Sequence, residues 1–181
     1  HQKYGVPSGY SKYYGFHNID SRFNINQEPN EAFRFGWVVE IDPMDPSKKP
    51  VKRTALGRFK HEGATCVVAP NGRVVVYMGD DERFQYVYKF ITKGTYNPNN
   101  RDANWGLLDE GELYVAKFND NLTGQWMLIA RCEKNPDGTY QITPNPALPQ
   151  EFQNDPALCF INTRGAADAL GATKMDRPED V

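Results

Sequence analysis

Three stretches of this chain are apolar on both faces of any strand they could form. "WVVEI" (37–41), "CVVA" (66–69) and "RVVVYM" (73–78) lack the in–out alternation of a sheet with one wet face, so both faces should be covered. Turn residues punctuate the runs at short intervals. "FGWVVEID" (35–42) is ended by "PMDP", "VKRTALGRF" (51–59) follows, and "ATCVVAPNGRVVVYMGD" (64–80) reads as a hairpin turning at Pro70, Asn71 and Gly72. "FQYVYKFI" (84–91), "ELYVAKF" (112–118) and "QWMLIAR" (125–131) continue the series, with a turn over 119–124 between the last two. Many short antiparallel strands with two-sided burial predict an all-β fold. A partial six-bladed β-propeller is favoured, because blades stack face to face, and a sandwich is the alternative.

Around this β material lie less regular segments. Residues 1–30 are polar and aromatic, interrupted by Gly5, Pro7, Gly9 and Gly15, and read as irregular with one short strand. Residues 133–154 read as a long loop. One short helix is expected near the C-terminus, with Asp155 as N-cap, Pro156 at the first helical position and Gly171 past the end. Tyr86, Tyr88 and Phe90 alternate onto one strand face and are expected in the core. Cys66, Cys132 and Cys159 match neither a zinc pattern nor a disulfide framework and are read as small residues in or near the core.

Charge narrows the partners. The formal net charge is −2 and basic residues form no stripe, which argues against nucleic acid or an anionic membrane. No apolar run reaches the ~20 residues of a membrane helix, and no leader precedes His1 in this chain.

Two stretches, "GRFKHEGATC" (57–66) and "ATKMDRPEDV" (172–181), share a layout. Glu62 sits just before an apolar strand, and Glu179 sits just before Val181, read as the start of another strand. At about 40–45 residues per blade the two glutamates fall on different blades and could converge on a central channel. Converging carboxylates repel unless a cation bridges them, and hard oxygen donors suit Ca²⁺, Mg²⁺, Mn²⁺ or Fe³⁺. Arg177 could bind two oxygens of a phosphate or carboxylate at once. Cations together with an arginine suit a phosphate ester, whose transition state spreads negative charge over oxygens. By composition alone, "DRPED" is a solvated turn. His61, beside Glu62, would point to the opposite face and reads as a packing residue before a metal ligand, and Asp80 and Asp81 read as a polar strand end.

"RFGWVVEIDPMDPSKKPVKRTALGRFKHEGAT", "VVYMGDDERFQYVYKFI", "LLDEGELYVAKFND" and "NTRGAADALGATKMDRPEDV" closely resemble the PhoX-type alkaline phosphatases, over about residues 31–181. The resemblance implies a six-bladed propeller that hydrolyses phosphate monoesters with a calcium–iron cluster, acts as a monomer, and reaches the periplasm or exterior by twin-arginine export. On it, Glu62 and Glu179 become metal ligands and Arg177 the catalytic phosphate binder, while Asp80, Asp81, Asp176 and His61 lie in or beside family motifs as lesser candidates. Family members carry a cysteine in a "TCEE"-like stretch absent here and run on past "RPEDV". The chain therefore reads as a single incomplete domain of two to three blades, inactive in isolation. Two other readings stay open: a non-catalytic ligand-binding propeller, and a calcium-dependent lactonase.

Overall fold

The computed structural model describes residues 2–6 and 14–181; His1 and residues 7–13, part of the expected irregular segment, lie outside the described residues. The chain divides into two compact units, His1–Gly36 and Trp37–Val181. The described residues of the first unit form short 3-10 turns and contain no strand. Asp20 caps one turn by accepting from the Arg22 amide at 3.0 Å. The Arg22 guanidinium bonds Glu31 at 3.0 and 2.7 Å, a local polar contact that ties two of these turns together.

The second unit is built on one antiparallel sheet. Its strands are β1 (Val39–Glu40), β2 (Val51–Lys52), β3 (His61–Val68), β4 (Arg73–Asp80), β5 (Arg83–Gln85), β6 (Val87–Thr95), β7 (Gly111–Phe118), β8 (Gly124–Lys134), β9 (Tyr140–Pro144) and β10 (Met175–Asp176). Six of them form a sheet in the order β3-β4-β6-β7-β8-β9, and β1-β2 and β5-β10 form two small pairs. The chain is thus mainly β and antiparallel. The first two expected strands shrink to the two-residue β1 and β2, the second because residues 54–56 turn into a 3-10 helix that carries Ala55 and Leu56 into the core.

Turn chemistry sets the hairpins. Between β3 and β4, Gly72 takes φ +82° and donates to the Ala69 carbonyl at 2.8 Å, while Asn71 accepts from the Arg73 amide at 3.1 Å. The β7–β8 and β8–β9 turns use one device twice: Asn121 and Asp137 each accept from the threonine amide two residues on, at 3.2 and 2.9 Å. The second of these turns makes a hairpin of the stretch expected to be a long loop.

One sheet face is fully covered. Val76, Met78, Tyr88, Phe90, Leu113 and Val115 bury against Leu56, Phe59, Phe152, Phe160 and Ala166. Tyr86, Tyr88 and Phe90 are all buried, as their alternation predicts. The opposite face is half-buried by its own side chains: Lys89 Nζ lies 4.4 Å from the Trp126 ring centroid and 5.2 Å from that of Tyr114. Cys132 and Cys159 are buried, but Cys66 is exposed, because β3 is an edge strand of the sheet.

The expected single helix is three short ones: α1 (Gln150–Asn154), α2 (Leu158–Ile161) and α3 (Thr163–Ala169). Pro156 forces Asp155 out of the helical region, to φ −130° and ψ 86°, and separates α1 from α2. Asn162, at φ −112° and ψ 48°, separates α2 from α3. Gly171, at φ +68°, ends the series as expected. The Arg58 amide donates to the Phe160 carbonyl at 2.9 Å and to Thr163 Oγ1 at 3.1 Å, which pins residues 54–59 to the helices above the sheet.

Candidate active site

The candidate residues meet at the end of the sheet where β3 begins and β4 finishes. Glu62 on β3 pairs across to Gly79 on β4, and the β3 register then shifts before Thr65. The C-terminal segment reaches the same place by another route. β10 pairs with β5, with Met175 opposite Gln85 and Asp176 opposite Arg83, and its register is irregular. At Arg177 the backbone enters the left-handed region, φ +54°, and the chain turns across the end of β4.

Two glycines receive it. A Cβ at Gly79 would lie 2.2 Å from the Glu179 carbonyl oxygen and 2.4 Å from that of Pro178. A Cβ at Gly63 would lie 2.8 Å from Asp180 Oδ1, and Gly63 itself needs φ +70°. The strap 177–180 therefore rests on bare backbone, and Glu179 and Asp180 are carried to the strand end where Glu62 sits. Among the described residues, no three His, Cys, Asp or Glu side chains gather closely enough to hold a metal ion. The Glu62 and Glu179 segments converge, but no complete ligand set forms.

Arg177 is held by Asp81. Its Nε donates to Asp81 Oδ1 at 2.8 Å and its Nη2 to Asp81 Oδ2 at 3.0 Å, with Glu179 Oε1 3.6 Å from Nη2. Asp81 is in turn fixed through its amide, which donates to the Lys60 carbonyl at 2.9 Å. The fork uses only the Nε–Nη2 edge. The arginine side chain remains 52% exposed, so the Nη1 edge can meet an anion without breaking the Asp81 pair.

The other candidates take separate roles. Asp80 is fully buried and committed to Arg164 on α3, with Nε to Oδ2 at 2.7 Å and Nη2 to Oδ1 at 2.5 Å. Burial pushes the Asp80 carboxyl up, against the pull of Arg164. Asp176 is solvent-facing, 4.0 Å from Arg83. His61 stacks on Phe59 with ring centroids 3.7 Å apart, and its Nε2 lies 3.0 Å from the Gly57 carbonyl. Since a carbonyl only accepts, Nε2 carries the proton, and buried Nδ1 has no hydrogen-bond partner.

Burial lowers the His61 imidazole to about 4, from an ordinary value of 6.5. The unfolded chain then binds a proton that the folded one refuses between those pH values. Stability contributed by the neutral ring is present above pH 6.5 and lost as pH falls toward 4, at up to about 1.4 kcal/mol per pH unit. Thermal unfolding midpoints between pH 7 and 5 should fall with acidification, and His61→Phe should flatten that slope.

Sequence reasoning missed three features. Arg164 lies among small residues in "NTRGAADAL", where a long cation between Thr163 and Gly165 signals a buried partner. Gly79 ends the apolar run "VVVYM", and a glycine there marks a close backbone approach. Asp180 sits in the charged cluster "DRPED" with no signal of its own in the local sequence. A separate 510 Å³ cavity, lined by Lys48, Tyr96, Arg101 and Trp105 among others, lies beyond the opposite end of β6 and contains none of the candidate residues.

Comparison with known proteins supplies the family. A search of curated protein sequences finds no match. A solved structure, PhoX from Pseudomonas fluorescens in complex with vanadate, a transition state analogue, is similar with a TM-score of 0.78 and 44% sequence identity. The match covers 92% of this chain, which spans 29% of that one. The family model for alkaline phosphatase PhoX matches residues 1–181. With every residue inside that match, the chain belongs to the PhoX alkaline phosphatase family.

Proposed function

We propose that the full-length protein containing this chain is a metal-dependent phosphatase that hydrolyses phosphate monoesters, with Arg177 binding the phosphate. The observation that carries this reading is the half-exposed Arg177 guanidinium, fixed along one edge by Asp81 and open along the other. Vanadate bound to the Pseudomonas fluorescens relative supports it, because vanadate takes up the five-coordinate geometry of phosphoryl transfer. Six β-propeller blades, a monomeric state, and export to the periplasm or exterior belong to the same proposal. They rest on family membership.

Each residue would act in a stated way. Arg177 Nη1 donates to a phosphate oxygen and offsets the charge that accumulates there in the transition state. Asp81 keeps the guanidinium plane in place, so little side-chain entropy is lost on binding. Glu62 and Glu179 offer hard carboxylate donors of the kind calcium or iron(III) takes, and ligands from outside the described residues would complete the set. A cation held there would supply further positive charge to the phosphate and would activate the attacking oxygen.

Testing this requires the full-length protein, purified with calcium present. It should turn over p-nitrophenyl phosphate and contain calcium and iron by elemental analysis. Glu62→Gln and Glu179→Gln should each lower both metal content and turnover. An inactive, metal-free protein would overturn the reading, and preferential hydrolysis of a lactone would replace it.

A further inference from the structure

We propose that Phe84 forms a hydrophobic contact surface for the organic group of the substrate and gives this site a preference for aromatic phosphate monoesters. The inference rests on the phosphatase reading above and extends it to the part of the substrate beyond the phosphate.

Phe84 breaks two local rules at once. Its side chain is exposed, the residue being 66% accessible, whereas Tyr86, Tyr88 and Phe90 just beyond it in the chain are buried. Its backbone also takes φ +63°, a region that glycine or asparagine occupies readily and an aromatic residue does not. The cause is a tight turn. The Gln85 amide donates to the Glu82 carbonyl at 3.3 Å, which makes Phe84 the third of four turn residues, the position where a left-handed residue is needed. Glycine would satisfy this turn without strain, so phenylalanine here serves something other than local folding.

Position supplies the function. Phe84 lies between Arg83 and Gln85, which pair with Asp176 and Met175 on the strand leading directly into Arg177. Pairing is irregular at this point, with three residues of β5 opposite two of β10, so Phe84 is the extra residue of a bulge. Such bulges re-aim a side chain beside a functional site. Asp81, which holds Arg177, lies three residues back, immediately before that turn. An aromatic ring at the rim of an arginine-based phosphate site can stack on a phenyl or nucleobase group, and it gains little from a small polar alcohol such as glycerol. Leu122 is likewise exposed and left-handed, at the β7–β8 turn, but belongs to no strand paired with β10. It serves as a control.

Steady-state kinetics of the full-length protein test the proposal, with phenyl phosphate and glycerol phosphate as substrates and inorganic phosphate as inhibitor. Phe84→Gly should raise KM for phenyl phosphate roughly tenfold with kcat little changed, since a contact made equally in ground and transition states is lost. KM for glycerol phosphate and Ki for inorganic phosphate should stay within about twofold, because neither presents an aromatic group to the ring. Phe84→Tyr should retain the preference, and Leu122→Gly should leave it untouched. The thermal midpoint of Phe84→Gly should not fall, because glycine relieves the left-handed backbone. A fall in that midpoint would show the ring packed elsewhere in the whole protein and would overturn the proposal. Equal changes for both esters, or none for either, would also overturn it. If the unmodified protein hydrolyses neither ester, the phosphatase reading itself fails, an outcome distinct from loss of the aromatic preference.

Discussion

Arg164→Ala should destabilise the protein by about 3–5 kcal/mol, read as a lower denaturant midpoint, because it leaves a buried carboxylate without its partner. The side chains of Arg164 and Asp80 are 1% and 0% exposed, and they meet through two parallel hydrogen bonds. Asp80 also accepts from the Lys60 amide at 3.3 Å, so the ion pair ties α3 to the ends of both β3 and β4. Removing the arginine removes the charge that compensates burial of Asp80, while the cost of that burial remains. Replacing both members with apolar residues, as in Asp80→Leu with Arg164→Met, should recover much of the loss, since neither charge then remains buried. Asp81 follows Asp80 directly and holds Arg177, so Arg164→Ala should also weaken phosphate binding. A change in stability below about 1 kcal/mol would show that water reaches the pair and that it does not anchor the site.

Gly79→Ala should lower kcat/KM about a hundredfold while leaving the fold intact by circular dichroism, on the rule that about 1 Å of misplacement near a reacting group costs that much. The new methyl carbon would sit 2.2 Å from one backbone oxygen of the strap and 2.4 Å from another. Neither is the end of a flexible side chain. Gly79 cannot easily move away, because it pairs with Glu62 on one side and Val87 on the other. The strap must therefore lift, taking Arg177 and Glu179 with it. Gly138→Ala is the matching control. It has φ +87° with nothing within 4 Å of the added carbon, so it should carry backbone strain alone and leave kcat/KM unchanged. Equal losses from both substitutions would show that Gly79 matters only for general stability.

Most of the sheet was legible in the sequence, because strand features are local. The β3–β4 hairpin is spelled out by Pro70, Asn71 and Gly72 between valine runs, and the buried face that runs from Tyr86 into β6 by the spacing of Tyr86, Tyr88 and Phe90. The stretch 133–154 was misread because its strand is short and polar, "YQITP", and its pairing with β8 is set by a turn rather than by hydrophobic pattern. The helical region divided because Pro156 acts on the residue before it as well as on itself. At the site, Arg177, Glu62 and Glu179 stood out by residue type and shared layout. What held them in place did not. The Asp81–Arg177 fork, the Asp80–Arg164 pair and the crossing over Gly79 join residues distant in the chain, and such contacts leave little trace in local sequence.

Arg177 as the phosphate binder is the point on which the functional reading turns. Binding of inorganic phosphate as an inhibitor of the full-length protein, compared between the unmodified protein and Arg177→Lys, tests it most directly. Lysine keeps the charge but loses the planar fork and with it the Asp81 geometry. Ki should rise roughly 10- to 100-fold, the effect of losing a charge-assisted hydrogen bond to an anion. An unchanged Ki would contradict the assignment and return "DRPED" to the solvated turn that its composition suggests.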